Sequence, residues 1–187
     1  GLWQAVGSTH WDIEPHAAYE SRLAETGAIG AAPGGLGVVE GGMIPYHPEA
    51  LLKKQENFEN RRTKDPEAKC YLPGVPRANY LPFPFQIVQG GNKIFIAYEF
   101  ASANRVIHMD PVPESPVDTW MGHSVGRWDG DSLVVDVTAF NGQTWFDRAG
   151  NHHSSALHVV ERYTPMTPNH LQYEATIEDP NTFTRPW

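Results

Sequence analysis

From Phe85 onward apolar and polar residues alternate with a period of two. Ile87-Val88-Gln89, Gly90-Gly91 and Asn92–Tyr98 predict a hairpin with a Gly-Gly turn, and Asn104–Met109 predicts a short third strand. Gly126–Trp128, Asp129-Gly130 and Asp131–Thr138 predict a second hairpin, because Asp-Gly supplies the positive φ angles that a type I′ turn demands. Ala156–Thr164 and His170–Glu178 predict a last hairpin around Pro165–Asn169. In its second strand Leu171, Tyr173, Ala175 and Ile177 alternate with Gln172, Glu174, Thr176 and Glu178, so one face is buried and the other wet. About seven strands joined in this way form an antiparallel meander, which must curl or close to hide its edges. The expected fold is mainly β: a calycin-like barrel over residues 81–187, with a sandwich as second choice.

Residues 1–80 follow another pattern and read as an N-terminal arm. Ile13–Glu25 predicts a helix, with Asp12 as its cap and Pro15 in the first turn, where a missing N–H costs least. A second helix is predicted over His47–Arg62, with Pro48 and Glu49 in its first turn and Leu51, Leu52, Gln55 and Phe58 on one side. Between them, residues 27–42 hold seven Gly and one Pro, which predicts a loop, though one too apolar for a solvated tether. Five Pro between positions 66 and 84 exclude regular helix there and favour an extended, wrapped segment.

Composition narrows the function classes. The chain has 187 residues and a net charge of −8, with Glu56 and Glu59 interleaved in its most basic stretch, Lys53–Lys64, and Asp65 directly after it. Nucleic-acid binding needs uncompensated cations on one face, so no nucleic-acid partner is expected. No run of apolar residues is long enough for a membrane span. Cys70 is the single cysteine, which excludes an intrachain disulfide and a multi-cysteine metal site.

The chemistry-bearing residues gather in two long connections, Pro111–Ser124 and Ala139–Ser155. Loops of that length are often functional. The second holds Asn141, Gln143, Trp145, Asp147, Arg148, His152 and His153. An equally simple reading makes Trp145 and Phe146 a plug for a barrel end, with Asp147 and Arg148 holding it. Nine His residues are present, but adjacent residues on an extended chain point oppositely, and no HExxH or paired Cys accompanies them. Neither a metal nor a cofactor is expected. On the strand after the loop, Leu157, Val159, Glu161 and Tyr163 share one face and His158, Val160, Arg162 and Thr164 the other. Glu99 and Arg105 are placed to form a cross-strand ion pair at a barrel rim, fixing register or orienting a carboxylate for proton transfer.

Several of these segments form a recognisable set: Cys70-Tyr-Leu-Pro-Gly-Val-Pro-Arg77, Trp120-Met-Gly-His-Ser-Val-Gly-Arg-Trp128, Gly130-Asp-Ser-Leu-Val-Val-Asp136 and Gln143-Thr-Trp-Phe-Asp147. Ala156-Leu-His-Val-Val-Glu-Arg-Tyr163 and Tyr173–Pro180 through Phe183-Thr-Arg-Pro-Trp187 complete it. Together they resemble a family of uncharacterised, exported bacterial proteins of soil and marine lineages. The resemblance implies a periplasmic or secreted location and a β-rich domain, and it brings no activity. Members of that family continue past the Arg-Pro-Trp end, so a longer protein is expected.

The leading expectation is an exported β-barrel that binds a small amphipathic or sugar-like ligand at its mouth. Trp120, Trp145 and Phe146 would supply stacking area, with polar contacts from Arg105, His123, Asp147 and His153. A first alternative is a cofactor-free lyase, isomerase or hydrolase in the same pocket, with His123, His153, Asp147 and Glu99 as acid–base groups. A second is a structural subunit of an envelope or extracellular assembly, a homo-oligomer for instance, docked through 27–42 and 66–84.

Overall fold

The computed structural model describes residues 1–19, 31–113 and 115–187. Period-two patterning does become strand: β2 (Phe85–Gly90), β3 (Lys93–Tyr98), β4 (Asn104–His108), β5 (His123–Asp129), β6 (Ser132–Thr138), β7 (His158–Thr167) and β8 (His170–Glu178) follow one another in a sheet. An eighth strand, β1 (Leu2–Trp3), pairs with the Phe85 end of β2. The pattern did not predict it, because two residues carry no periodicity. The sheet curls into a half-barrel and every neighbouring pair is antiparallel except one. The exception is β4–β5, which run parallel through Ile107↔Ser124 and His108↔Val125. The connection from Met109 to Gly122 crosses over and so replaces the turn of a simple meander.

Both tight turns lie one residue further along than the dipeptides suggested. Gly90 faces Lys93 and Asp129 faces Ser132, so the two-residue loops are Gly91-Asn92 and Gly130-Asp131. Gly91 (φ +57°) and Gly130 (φ +61°) each take the left-handed position such a loop requires.

The concave face carries Ile94, Ile96, Tyr98, Ile107, Leu133, Val135, Val137, Val159, Tyr163 and Ile177, all buried in one cluster. Each fully buried aliphatic side chain there contributes roughly 1.5–3 kcal/mol. Residues 1–80 insert into the same cluster through Ile13, Ile44, Val75 and Ala78. Gly126 lets β5 come close beneath the end of β4. A Cβ there would lie 2.7 Å from Ile107 Cγ2 and 2.8 Å from Met109 Sδ.

The predicted second helix is present as α1 (Pro48–Glu59) followed by α2 (Arg61–Lys64). The predicted first helix is not formed over Ile13–Tyr19, and its remaining residues, 20–25, lie outside the described part. Asp12 does accept the Glu14 N–H, as a cap would, but tertiary bonds claim the residues after it. Ile13 N–H donates to Asp147, Glu14 accepts from Ile44 N–H and Lys54, and His16 and Tyr19 exchange backbone bonds with Gly35 and Ala32. Those bridges fold the described part of the Gly-rich stretch, residues 31–42, back on its own chain. The Pro-rich stretch is wrapped as expected, in single turns at Glu67–Lys69 and Arg77–Asn79 that bury Val75, Arg77, Ala78 and Asn79.

Candidate functional site

Alternation along β7 aims Glu161 and Tyr163 into the half-barrel, and both are buried. Arg105 points inward from β4, its Nε donating to Ser124 Oγ on β5 at 2.8 Å. Its Nη1 donates to Glu161 Oε1 at 3.1 Å, and its Nη2 pairs with Glu161 Oε2. Three further donors meet Glu161 Oε1: Asn79 Nδ2 at 2.8 Å, Tyr163 Oη at 3.0 Å and Tyr173 Oη, from β8, at 2.8 Å. Asn79 Oδ1 in turn accepts the Tyr98 hydroxyl at 2.8 Å. A charge in a low-dielectric interior is tolerated only with such compensation. Burial works against the Arg105 charge, but Glu161 beside it holds the guanidinium protonated far above its ordinary range. Burial, and then the Glu161 charge, push the Tyr163 and Tyr173 hydroxyls well above the usual phenol value. Both tyrosines therefore stay protonated, with their protons committed to Glu161.

Asn79 reaches this network because its turn is anchored from behind. Arg77, 1% exposed, grips Asp65 through two bonds of 2.8 and 2.9 Å and also donates to Glu67, which accepts from Arg148 as well.

In front of the network lies a cleft of about 710 Å³ along the side where the half-barrel does not close. Asn79, Tyr163, Tyr173, Phe85 and Phe146 line it, with β8 from Leu171 to Ile177 on one wall and residues 3–7 and 38–40 on the other. Val6 and Val38 stand on the rim at 101% and 66% exposure. Trp187 closes the cleft, its Nε1 buried without a hydrogen-bond partner among the described residues. Glu40 and Glu174 belong to the lining, and no Lys or Arg does among the described residues.

The eight side chains singled out from the sequence are not brought together. Phe146 lines the cleft, and Arg105 stands behind its floor. Glu99 is exposed at the end of β3 and does not pair with Arg105; the expected cross-strand pair is replaced by Arg105–Glu161. His123 lies on the opposite face of β5 from Ser124, stacked on His108 with centroids 5.4 Å apart. Trp120 packs half-buried against Tyr71 at 5.4 Å.

Trp145, Asp147 and His153 are buried in the 139–155 loop, which fills space rather than roofing a cavity. His153 Nδ1 donates to the Ser154 carbonyl at 2.7 Å, so its Nε2 accepts from Thr144 Oγ1 at 2.6 Å. Burial lowers its pKa to about 4. Asp147 accepts from the N–H groups of Ile13, Ala149 and Asn151 and from Asn151 Nδ2 at 2.6 Å. Burial, and then neighbouring Asp12, still push it up to about 7. No group of three or more His, Cys, Asp or Glu is arranged to hold a metal ion among the described residues.

Asn79, Glu161, Tyr163 and Tyr173 are the site residues that sequence reading missed. That Glu161 and Tyr163 share one face of the strand was visible, but that this face is the inner one, and its meeting with Arg105, were not. Comparison with protein-family models, with curated proteins and with solved structures gives no match.

Proposed function

We propose that this chain is an exported binding protein, related to the bacterial family its motifs resemble, that holds a small amphipathic ligand in the open side of its half-barrel. The observation that carries the reading is the cleft itself: aromatic and aliphatic walls over a polar floor whose groups are fixed before any ligand arrives. Apolar pockets with a few convergent polar groups are the usual form of a small-molecule site. The floor also sets a preference. Tyr163 and Tyr173 already donate their hydroxyl hydrogen bonds to Glu161, so they meet a ligand with acceptor oxygens, while Trp187 Nε1 is an unspent donor. Ligands bearing hydroxyl or ammonium donors suit that floor. With Glu40 and Glu174 in the lining and no Lys or Arg there among the described residues, a neutral or positively charged ligand is preferred over an anion.

Titration with octyl glucoside below its micelle concentration tests this, with Trp3 and Trp187 as internal fluorophores on the cleft. A saturable blue shift is expected, and sodium octyl sulfate is expected to bind at least tenfold more weakly. Ala175→Trp, which fills the cleft from β8, should abolish the response. A response that survives this substitution, or none from the folded protein, refutes the reading.

A further inference from the structure

We infer that His16 is a proton-operated clasp: charged, it holds the Gly-rich segment 31–38 against the arm; neutral, it loosens that segment and the cleft wall it carries. The effect on binding rests on reading the cleft as a binding site, whereas the clasp stands on its own geometry.

Residues 13–19 and 31–38 lie side by side. His16 and Gly35 exchange backbone bonds, both of 2.9 Å, Tyr19 and Ala32 exchange another pair, and Val38 N–H donates to the Ile13 carbonyl at 2.8 Å. Glycine serves close approach here rather than slack. A Cβ on Gly35 would lie 2.6 Å from His16 Cε1 and 2.7 Å from Ser8 Oγ, and one on Gly37 would lie 2.5 Å from Pro15 N. The His16 ring is thus pressed onto the segment it pairs with. Both its nitrogens face carbonyl oxygens: Nδ1 lies 2.9 Å from that of Glu14 and Nε2 2.9 Å from that of Pro33.

A carbonyl oxygen only accepts, and a neutral imidazole carries one N–H. The neutral ring therefore turns a lone pair towards one of the two oxygens, whereas the imidazolium donates to both. Glu14 belongs to the arm and Pro33 to the Gly-rich segment, so the two bonds of the cation span the junction between them. Asp12 senses the His16 charge, which draws its carboxyl down against the larger upward push of burial. The Glu14 carboxylate is taken up by Ile44 N–H and by Lys54 of α1. Ser8 and residues 31–38 bring no charged side chain to the ring. Val38, Val39 and Glu40, where the clasped segment ends, form one wall of the cleft. Histidine changes charge between about pH 5 and 8, so rising pH across that range releases the clasp and acidification closes it.

The test uses the whole protein, isotopically labelled. Amide protection at Ala32, Gly35 and Val38, corrected for intrinsic exchange, is referred to that at Val135 and Val159 in the buried strands β6 and β7. Raising the pH from about 5.5 to about 8 should lower it at least fivefold. His16→Gln offers a donor at one end only, so its protection should change less than twofold and match that of the unaltered protein at the higher pH. Ring-nitrogen resonances of His16 should show both nitrogens protonated at the lower pH, a readout that needs no variant. Protection that ignores pH, the same change in His16→Gln, or a single protonated nitrogen at the lower pH overturns the clasp. Octyl glucoside should bind at least threefold more weakly at the higher pH, and with one affinity in His16→Gln. If it binds equally at both, the control of the cleft wall falls. If it binds at neither while protection shifts, the cleft reading falls and the clasp stands.

Discussion

Two carboxylates sit at the bottom of this protein, Glu161 on β7 and Asp147 in the 139–155 loop, each with no exposed surface. They are held in opposite ways. Glu161 faces a guanidinium, with two tyrosines and an amide donating to the same carboxylate. Asp147 faces only neutral N–H donors, with a second carboxylate, Asp12, bridged to it through Asn151. Its proton is retained up to about pH 7. The difference shows that equal burial gives unequal chemistry: a charge compensated by a charge makes a rigid floor, whereas one compensated by dipoles stays close to titration.

The strongest way to break that contrast is Arg105→Met, which strands Glu161 without its cation. Losing one partner of a buried pair costs about 3–5 kcal/mol, read as a lowered urea midpoint. Adding Glu161→Gln should recover stability rather than subtract more, because the amide oxygen still accepts from Tyr173 while the unpaired charge is gone.

Acid titration sharpens the comparison next. The unfolded chain protonates His153 near pH 6.5 and the folded protein only near 4, so the unfolded state binds more protons in that window and acidification destabilises. His10, lowered to about 4 by burial and then by Arg148, acts in the same direction. Asp147 acts oppositely: folded, it keeps its proton from its ordinary 3.8 up to about 7, so raising the pH across that range costs stability. His153→Gln should therefore flatten the stability–pH profile between 4 and 6.5, and Asp147→Asn should steepen it. Each change is of order 3 kcal/mol across the window, measured by urea denaturation at stepped pH.

Tyr173→Phe removes one donor from Glu161 without opening a large void. It should cost about 1.5–3 kcal/mol, the usual range for a hydrogen bond to a charged group. It should also weaken octyl glucoside several-fold. At the bottom of the scale, Arg162→Ala breaks the exposed pair with Asp129 on the outer face and should leave the urea midpoint unchanged within error.

The same contrast explains what could be read from the chain. Parity within a strand is local, so the alternation of β7 and β8, the hairpin turns to within one residue, and the second helix were all legible. Arg105 was singled out but placed at a barrel rim and assigned to Glu99, six residues before it, whereas it is buried and turned inward. Its true partner, Glu161, lies 56 residues away and is reached only because the crossover after β4 sets β5 parallel and the next two strands carry Glu161 around the curve. No periodicity announces such a crossover. The Asp147 loop was legible in composition only. Its residues looked like a roof for a ligand, yet Ile13 and Asn151 draw Asp147 into the protein's own interior. Asn79 was silent in the sequence, because its role comes from an Arg77 anchor built on Asp65.

The parallel step between β4 and β5 has one more consequence. Only two residue pairs join the sheet there, against five or more on the other side of each of those strands. The molecule is in effect two hairpin units sewn along one short seam, and Arg105 is the stitch, reaching from the first unit to Ser124 and Glu161 in the second. Local opening of the native sheet is expected first along that line, where Arg105 and the Tyr98–Asn79–Glu161 chain tie the two units together.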